Sequence, residues 1–124
     1  MSYILPIFIV TMYQFTIDHR ANPIWGTKNW QSTIWIVAEN RFLDIVEYVH
    51  YYLHPTFEEG YVESFRRDAN FRAQLTCWGS FDIKVTAFLK SGNSLSVEYF
   101  LNHDQIEPTR PVIKFQEVEQ IQIT

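Results

Sequence analysis

The feature that most constrains this chain is an apolar alternation with a period of two, carried largely by β-branched and aromatic residues. Ile9, Thr11, Tyr13, Phe15 and Ile17 fall on one side of an extended segment, opposite Met12, Gln14 and Thr16. The pattern returns in residues 31–39, where Ile34 and Ile36 oppose Trp35 and Val37, and again at Phe71, Ala73 and Leu75. It is longest in Phe81, Ile83, Val85, Ala87 and Leu89, and it reappears in Leu95, Val97, Tyr99 and Leu101. Successive side chains on a strand point to opposite faces, so each such run predicts a strand with one buried face. Ser91-Gly92-Asn93 between the last two runs predicts a hairpin turn, because Gly and Asn tolerate the positive φ that it needs.

The connections are read from breakers and polarity. Residues 18–28, with Pro23 and Gly26, read as a long loop, and Asn40-Arg41 as a turn. Residues 42–53 are the ambiguous stretch. Phe42, Ile45, Val49 and Tyr52 sit at helical spacings, yet the density of valine, isoleucine and tyrosine favours a pleated surface. A long strand is expected there, with a helix as the alternative, ending at His54-Pro55. Residues 58–70 read as a polar connection holding a short strand near 62–65, and after a loop at 103–111 two short strands, 112–115 and 118–123, finish the chain.

About eight strands without a convincing helix predict an all-β fold of two packed antiparallel sheets. The 124 residues suit one domain, 1–124, and the strand-like last residues leave room for the natural chain to continue. Aromatic residues form 17% of the chain, a share that suits a sandwich core, while 19% charged and 47% hydrophobic residues exclude a disordered chain.

Charge and cysteine content narrow the function classes. A net charge of -4 argues against nucleic-acid binding by phosphate neutralisation. The single Cys77 excludes an internal disulfide and makes a reducing compartment the simpler expectation: cytoplasmic, or nuclear in a eukaryote. The apolar run from Ile4 to Val10 is far shorter than the roughly 20 residues that span a bilayer, so membrane insertion by this segment is not expected. His50 and His54 have the spacing of a helical metal pair, but on a strand they stand about 13 Å apart and cannot share an ion. No Gly-rich phosphate loop, Gly-x-Ser-x-Gly elbow or Cys ligand set is present, so neither catalysis, a cofactor nor a metal is expected.

Two segments concentrate rings beside hydrogen-bonding groups where a strand meets a loop: Leu53-His54-Pro55-Thr56-Phe57 and Cys77-Trp78-Gly79-Ser80-Phe81. The run VEYVHYYLHPTF, followed about twenty residues later by FRAQLTCWGSFDIKV, resembles the YEATS pattern of a strand ending Leu-His-x-Ser/Thr-Phe and a later Gly-Trp/Tyr-Gly-x-Phe. The likeness covers Trp35 to about Leu101, and its compact form is closer to the prokaryotic branch than to nuclear histone readers.

This resemblance implies an immunoglobulin-like sandwich that recognises acylated lysine. Phe57 and Trp78 would then wall the flat acyl-amide, Thr56 would hydrogen-bond it, and His54 would support that contact. The Trp78 N–H would meet the acyl carbonyl, with Gly79 and Phe81 shaping the back of the channel. The partner implied is an acylated protein or peptide, or a small acyl ligand; an adaptor or sensor role without acyl binding is the other reading. Cys77 stands where the family usually has glycine, and Ser80 where glutamate is frequent. Trp25 and Trp30 are candidates for a further wall. Read from the residues alone, without the motifs, Trp78 and Phe57 read as core aromatics, and Phe81 is divided between core and ligand contact.

Overall fold

In a computed structural model, which describes residues 5–53, 60–102 and 112–123, the chain folds as two four-stranded antiparallel sheets. The strands are β1 (Leu5–Pro23), β2 (Trp30–Ala38), β3 (Val46–Tyr52), β4 (Tyr61–Ser64), β5 (Ala73–Cys77), β6 (Phe81–Leu89), β7 (Ser94–Leu101) and β8 (Val112–Ile123). One sheet runs in the order β5-β2-β1-β8 and the other β4-β3-β6-β7. A single helical turn, α1 (Asn40–Leu43), carries the chain from the first sheet to the second.

The core forms where the alternation predicts it. Ile34 and Ile36 on β2 are fully enclosed, as are Val49 and Tyr51 on β3. The inward residues of β6, Phe81, Ile83, Val85, Ala87 and Leu89, are buried throughout. Each β-branched or aromatic side chain removed from water contributes roughly 1.5–3 kcal/mol, so these stripes drive the packing of the two sheets.

Three elements differ from the sequence reading. β1 does not end at Ile17 but runs to Pro23, through residues expected as loop, in continuous register with β2 from Phe15↔Ala38 to Pro23↔Trp30. Asp18 and His19 are polar, yet they are buried and hydrogen-bonded, which removes the penalty that disfavours polar residues there. The expected long strand 42–53 instead begins with α1. Phe42 and Leu43 are adjacent and both turn into the same core, whereas neighbouring strand residues point to opposite faces; one helical turn brings both inward. Phe42 stacks on Phe15 with ring centroids 4.8 Å apart and meets Phe115 edge-on, closing the end of the core. The two short C-terminal strands are one, β8, paired along β1 from Leu5↔Ile123 to Thr16↔Val112.

A strained turn introduces β5. Asn70 and Phe71 both adopt positive φ, 52° and 54°, the second uncommon for a bulky side chain. The turn is held by the Ile36 N–H donating to the Asn70 carbonyl (3.0 Å) and by the Tyr51 hydroxyl donating to the Phe71 carbonyl (2.6 Å). These bonds set the level at which β5 enters the sheet, and so where its far end lies.

Candidate functional site

Register determines which loops share a pole. Trp30 pairs with Cys77, Tyr52 with Lys84 and Phe81 with Leu101. The ends of β1, β3, β5 and β7 and the starts of β2, β4 and β6 therefore meet at one end of the sandwich, opposite α1. Leu53 and Gly60 close the ends of the 53–60 segment through an N–H···O bond of 2.8 Å. His54, Thr56 and Phe57 lie between them, outside the described residues.

Residues 78–80 cross from β5 in one sheet to β6 in the other, and neighbouring side chains here differ sharply in burial. Cys77 is fully buried and Phe81 is 8% exposed, whereas Trp78 is 59% exposed. Trp78 is thus a surface ring at the pole and not a core residue. Phe81 belongs to the core cluster. A Cβ placed on Gly79 would meet nothing within 4 Å, so the loop backbone is open to close approach. Cys77 faces inward: burial pushes its thiol pKa up, partly offset by a hydrogen bond with Ser32. Where the family usually has glycine, this chain therefore places a sulfur in the core, against Ser32.

Of the other tryptophans, Trp25 is 98% exposed in the β1–β2 loop at this pole. Trp30, opposite Cys77 in the ladder, shares the inward side with it and is half-buried.

A polar bridge that the sequence did not reveal joins the two sheets beneath these loops. His19 on β1 reaches across to β7, where its Nδ1 lies 2.5 Å from the Tyr99 hydroxyl and its Nε2 2.8 Å from the Asn102 carbonyl. A carbonyl only accepts, so Nε2–H donates; in the neutral ring Nδ1 then accepts from Tyr99. Asn102 in turn accepts from the Ser80 hydroxyl at 3.4 Å, which ties the β5–β6 loop to the same bridge. His19 was hidden by its place in a segment that reads as loop.

The outer face of the second sheet carries a further ring cluster. Tyr48 touches His50, Phe65 and Phe88, and His50 touches Tyr61 and Phe88, with Tyr48 and Phe88 stacked at 4.7 Å. His50 sits on a strand, 2.8 Å from Glu63, and among the described residues no group of three or more metal-ligating side chains converges. No helix among them is long and apolar enough to cross a membrane. A cavity of about 360 Å³, lined by Phe15, Thr16, Val37, Glu39 and Val112 among others, opens towards the α1 end and does not reach Trp78.

Comparison with solved structures places the fold. The chain is similar to the Yaf9 YEATS domain recognising an H3K122suc peptide, with a TM-score of 0.67 and 15% identity over 94% of this chain and 90% of that one. It is similar to the yeast AF-9 homolog protein Yaf9 (TM-score 0.67, 16% identity, 90% of this chain and 80% of that one). It also resembles the Yaf9 YEATS domain bound to H3K27ac (TM-score 0.60, 16% identity, 96% and 90% coverage). No curated protein matches the sequence. At such identities these likenesses establish an immunoglobulin-like YEATS sandwich and nothing finer. The model of the prokaryotic YEATS domain matches residues 30–102, more than half of the chain and both loop motifs, and the chain belongs to that family.

Proposed function

We propose that this domain is a binding module for acylated lysine, or for a small acyl ligand of the same shape, and not an enzyme. The observation that carries this reading is the exposure of Trp78 between buried Cys77 and Phe81. A large ring left in water at a loop pole costs apolar exposure that a flat ligand would recover. An acylated lysine has no charge and presents a planar amide with an apolar tip. Phe57 on the other side would complete an aromatic clamp, with dispersion between rings and amide supplying the affinity.

The amide must also keep its hydrogen bonds, since desolvating it unpaired costs at least 1–3 kcal/mol on the order of magnitude seen in proteins. The Thr56 hydroxyl and the Trp78 backbone N–H are the partners assigned, with His54 beside Thr56. At Gly79 a Cβ would meet no described atom within 4 Å, which leaves room there for a ligand to approach the backbone. Relatives in fold recognise H3K122suc and H3K27ac, which supports an acylated peptide as the ligand class.

The test is an NMR titration with acetylated, crotonylated and unmodified lysine peptides, following the Trp78 indole N–H. Saturable shifts confined to the acylated peptides are the expected result. Equal shifts with the unmodified peptide, or none at millimolar concentration, would replace the reader with the adaptor reading.

A further inference from the structure

Half of β1 has only one neighbour. β2 pairs with β1 from Phe15 to Pro23, and the stretch Leu5–Gln14 is bonded on one side alone, to β8. Among the described residues its other edge is unpaired over 6–12 save for one side-chain contact at Met12, and no side chain is charged before Asp18. Ile7, Phe8, Ile9, Val10 and Met12 are between 42% and 59% exposed. Natural edge strands are normally blunted by charge, proline or bulges, because an open ladder invites another strand.

The direction of the free groups can be read from two bonds. Arg41 Nη2 donates to the Met12 carbonyl at 2.8 Å, from the side where β2 has ended. The Ile36 N–H points away from β1, to Asn70, so its partner Ile17 is a non-hydrogen-bonded position in the β1–β2 ladder. Both place the N–H and C=O groups of even-numbered β1 residues on the β2 side. At the bare edge these are Pro6, Phe8, Val10 and Met12. Phe8 and Val10 offer both groups, Pro6 offers only an acceptor, and Met12 has its acceptor taken by Arg41.

We propose that this edge pairs with the same edge of a second copy, antiparallel about a two-fold axis at Ile9. Residue Phe8 then faces Val10 of the other copy in wide hydrogen-bonded pairs, and Ile9 faces Ile9 in a narrow pair. Pro6 falls opposite Met12, where the missing N–H meets the carbonyl that Arg41 has already satisfied, while the Met12 N–H donates to the Pro6 carbonyl. Roughly six main-chain hydrogen bonds form and no polar group on the edge is orphaned. The two Arg41 side chains stand at the ends of the shared ladder and stop it from extending.

A second copy is favoured over an unrelated strand because the edge is complementary to itself in this one register, the condition for a two-fold contact. Charge points the same way: the β8 edge carries Lys114 and Glu117, which blunt it, whereas the β1 edge carries no charged side chain. The exposed apolar side chains offer on the order of 500 Å² per copy. Edge pairing covers only the part of that area flanking the shared ladder, less than the roughly 1,000 Å² of a stable interface, so the dimer is weak and concentration-dependent.

Sedimentation of the 124-residue chain over a concentration series is expected to show its mass rising from 14.8 kDa towards twice that value. Val10→Pro, which removes an outward N–H without breaking a bond to β8, should hold it monomeric, and Val118→Lys on β8 should not. Register is tested by oxidation of single substitutions. Ile9→Cys should cross-link two copies, since narrow antiparallel pairs have the Cα separation that a disulfide needs. Thr11→Cys should not, because the two positions lie about 13 Å apart in this pairing. A monomer at every concentration, unaltered dimerisation of a Val10→Pro variant with a native melting curve, or equal cross-linking of the two cysteine variants would overturn the proposal.

Discussion

Tyr51→Phe isolates one hydroxyl that holds the entry to β5. Tyr51 is fully buried on β3, and its O–H donates to the carbonyl of Phe71, a residue at φ 54°. Removing the oxygen forfeits a net hydrogen bond of about 0.5–1.5 kcal/mol and leaves a carbonyl with less than its full complement, so a loss of roughly 2 kcal/mol at pH 7 is expected. Burial also holds the Tyr51 pKa far above its usual value of about 10. The folded chain thus keeps a proton that the unfolded chain releases. The stability from this group is complete below pH ~10 and declines above it, by about 1.4 kcal/mol per pH unit. Phenylalanine has no such dependence, so the deficit of the variant should shrink above pH ~10 and vanish near pH ~11.5, where that loss reaches about 2 kcal/mol. Other tyrosines and lysines titrate alike in both proteins and cancel in the difference. Urea unfolding of both proteins at pH 7, 10 and 11, followed by tryptophan fluorescence, measures it. A gap that stays constant with pH, or no gap at pH 7, would refute the reasoning.

Trp78→Ala should abolish binding of acylated peptide while lowering stability by less than about 2 kcal/mol, since 59% of the residue is already in water; a calorimetric titration beside a melting curve separates the two. His19→Leu should cost about 1–3 kcal/mol in urea unfolding, because the Asn102 carbonyl and the Tyr99 hydroxyl both lose their bonds to the imidazole. Cys77, enclosed and with its pKa raised, should resist a thiol reagent at neutral pH in the folded chain and react at once in denaturant, which a timed labelling experiment reads directly.

The strands with clean alternation, β2, β6 and β7, were legible because one face of each is buried and the other is not, the one condition under which periodicity reports structure. The tail of β1 was not, because Asp18 to Pro23 carry no apolar period; they are strand only because β2 pairs with them and the His19 bridge satisfies the buried polar groups. Likewise α1 exists to turn Phe42 and Leu43 inward together where the chain changes sheets, a demand set by the layers and absent from local propensity.

For the candidate site, the spacing of the two loop motifs was enough to single out Trp78 and the His54–Phe57 segment and to reach the family, since a short loop between strands carries its geometry in a few consecutive residues. The sequence could not divide surface rings from core rings among its aromatics. That depends on which side of a three-residue crossing each ring leaves, and packing decided it: Phe81 goes inward, Trp78 outward, and Cys77 against Ser32. The bare β1 edge is of the same kind. Its uncharged residues are plain in the sequence, but that β2 stops at Ala38 while β1 runs on beside β8 follows only from pairing between strands far apart in the chain, where hydrogen-bond partners are a property of the fold.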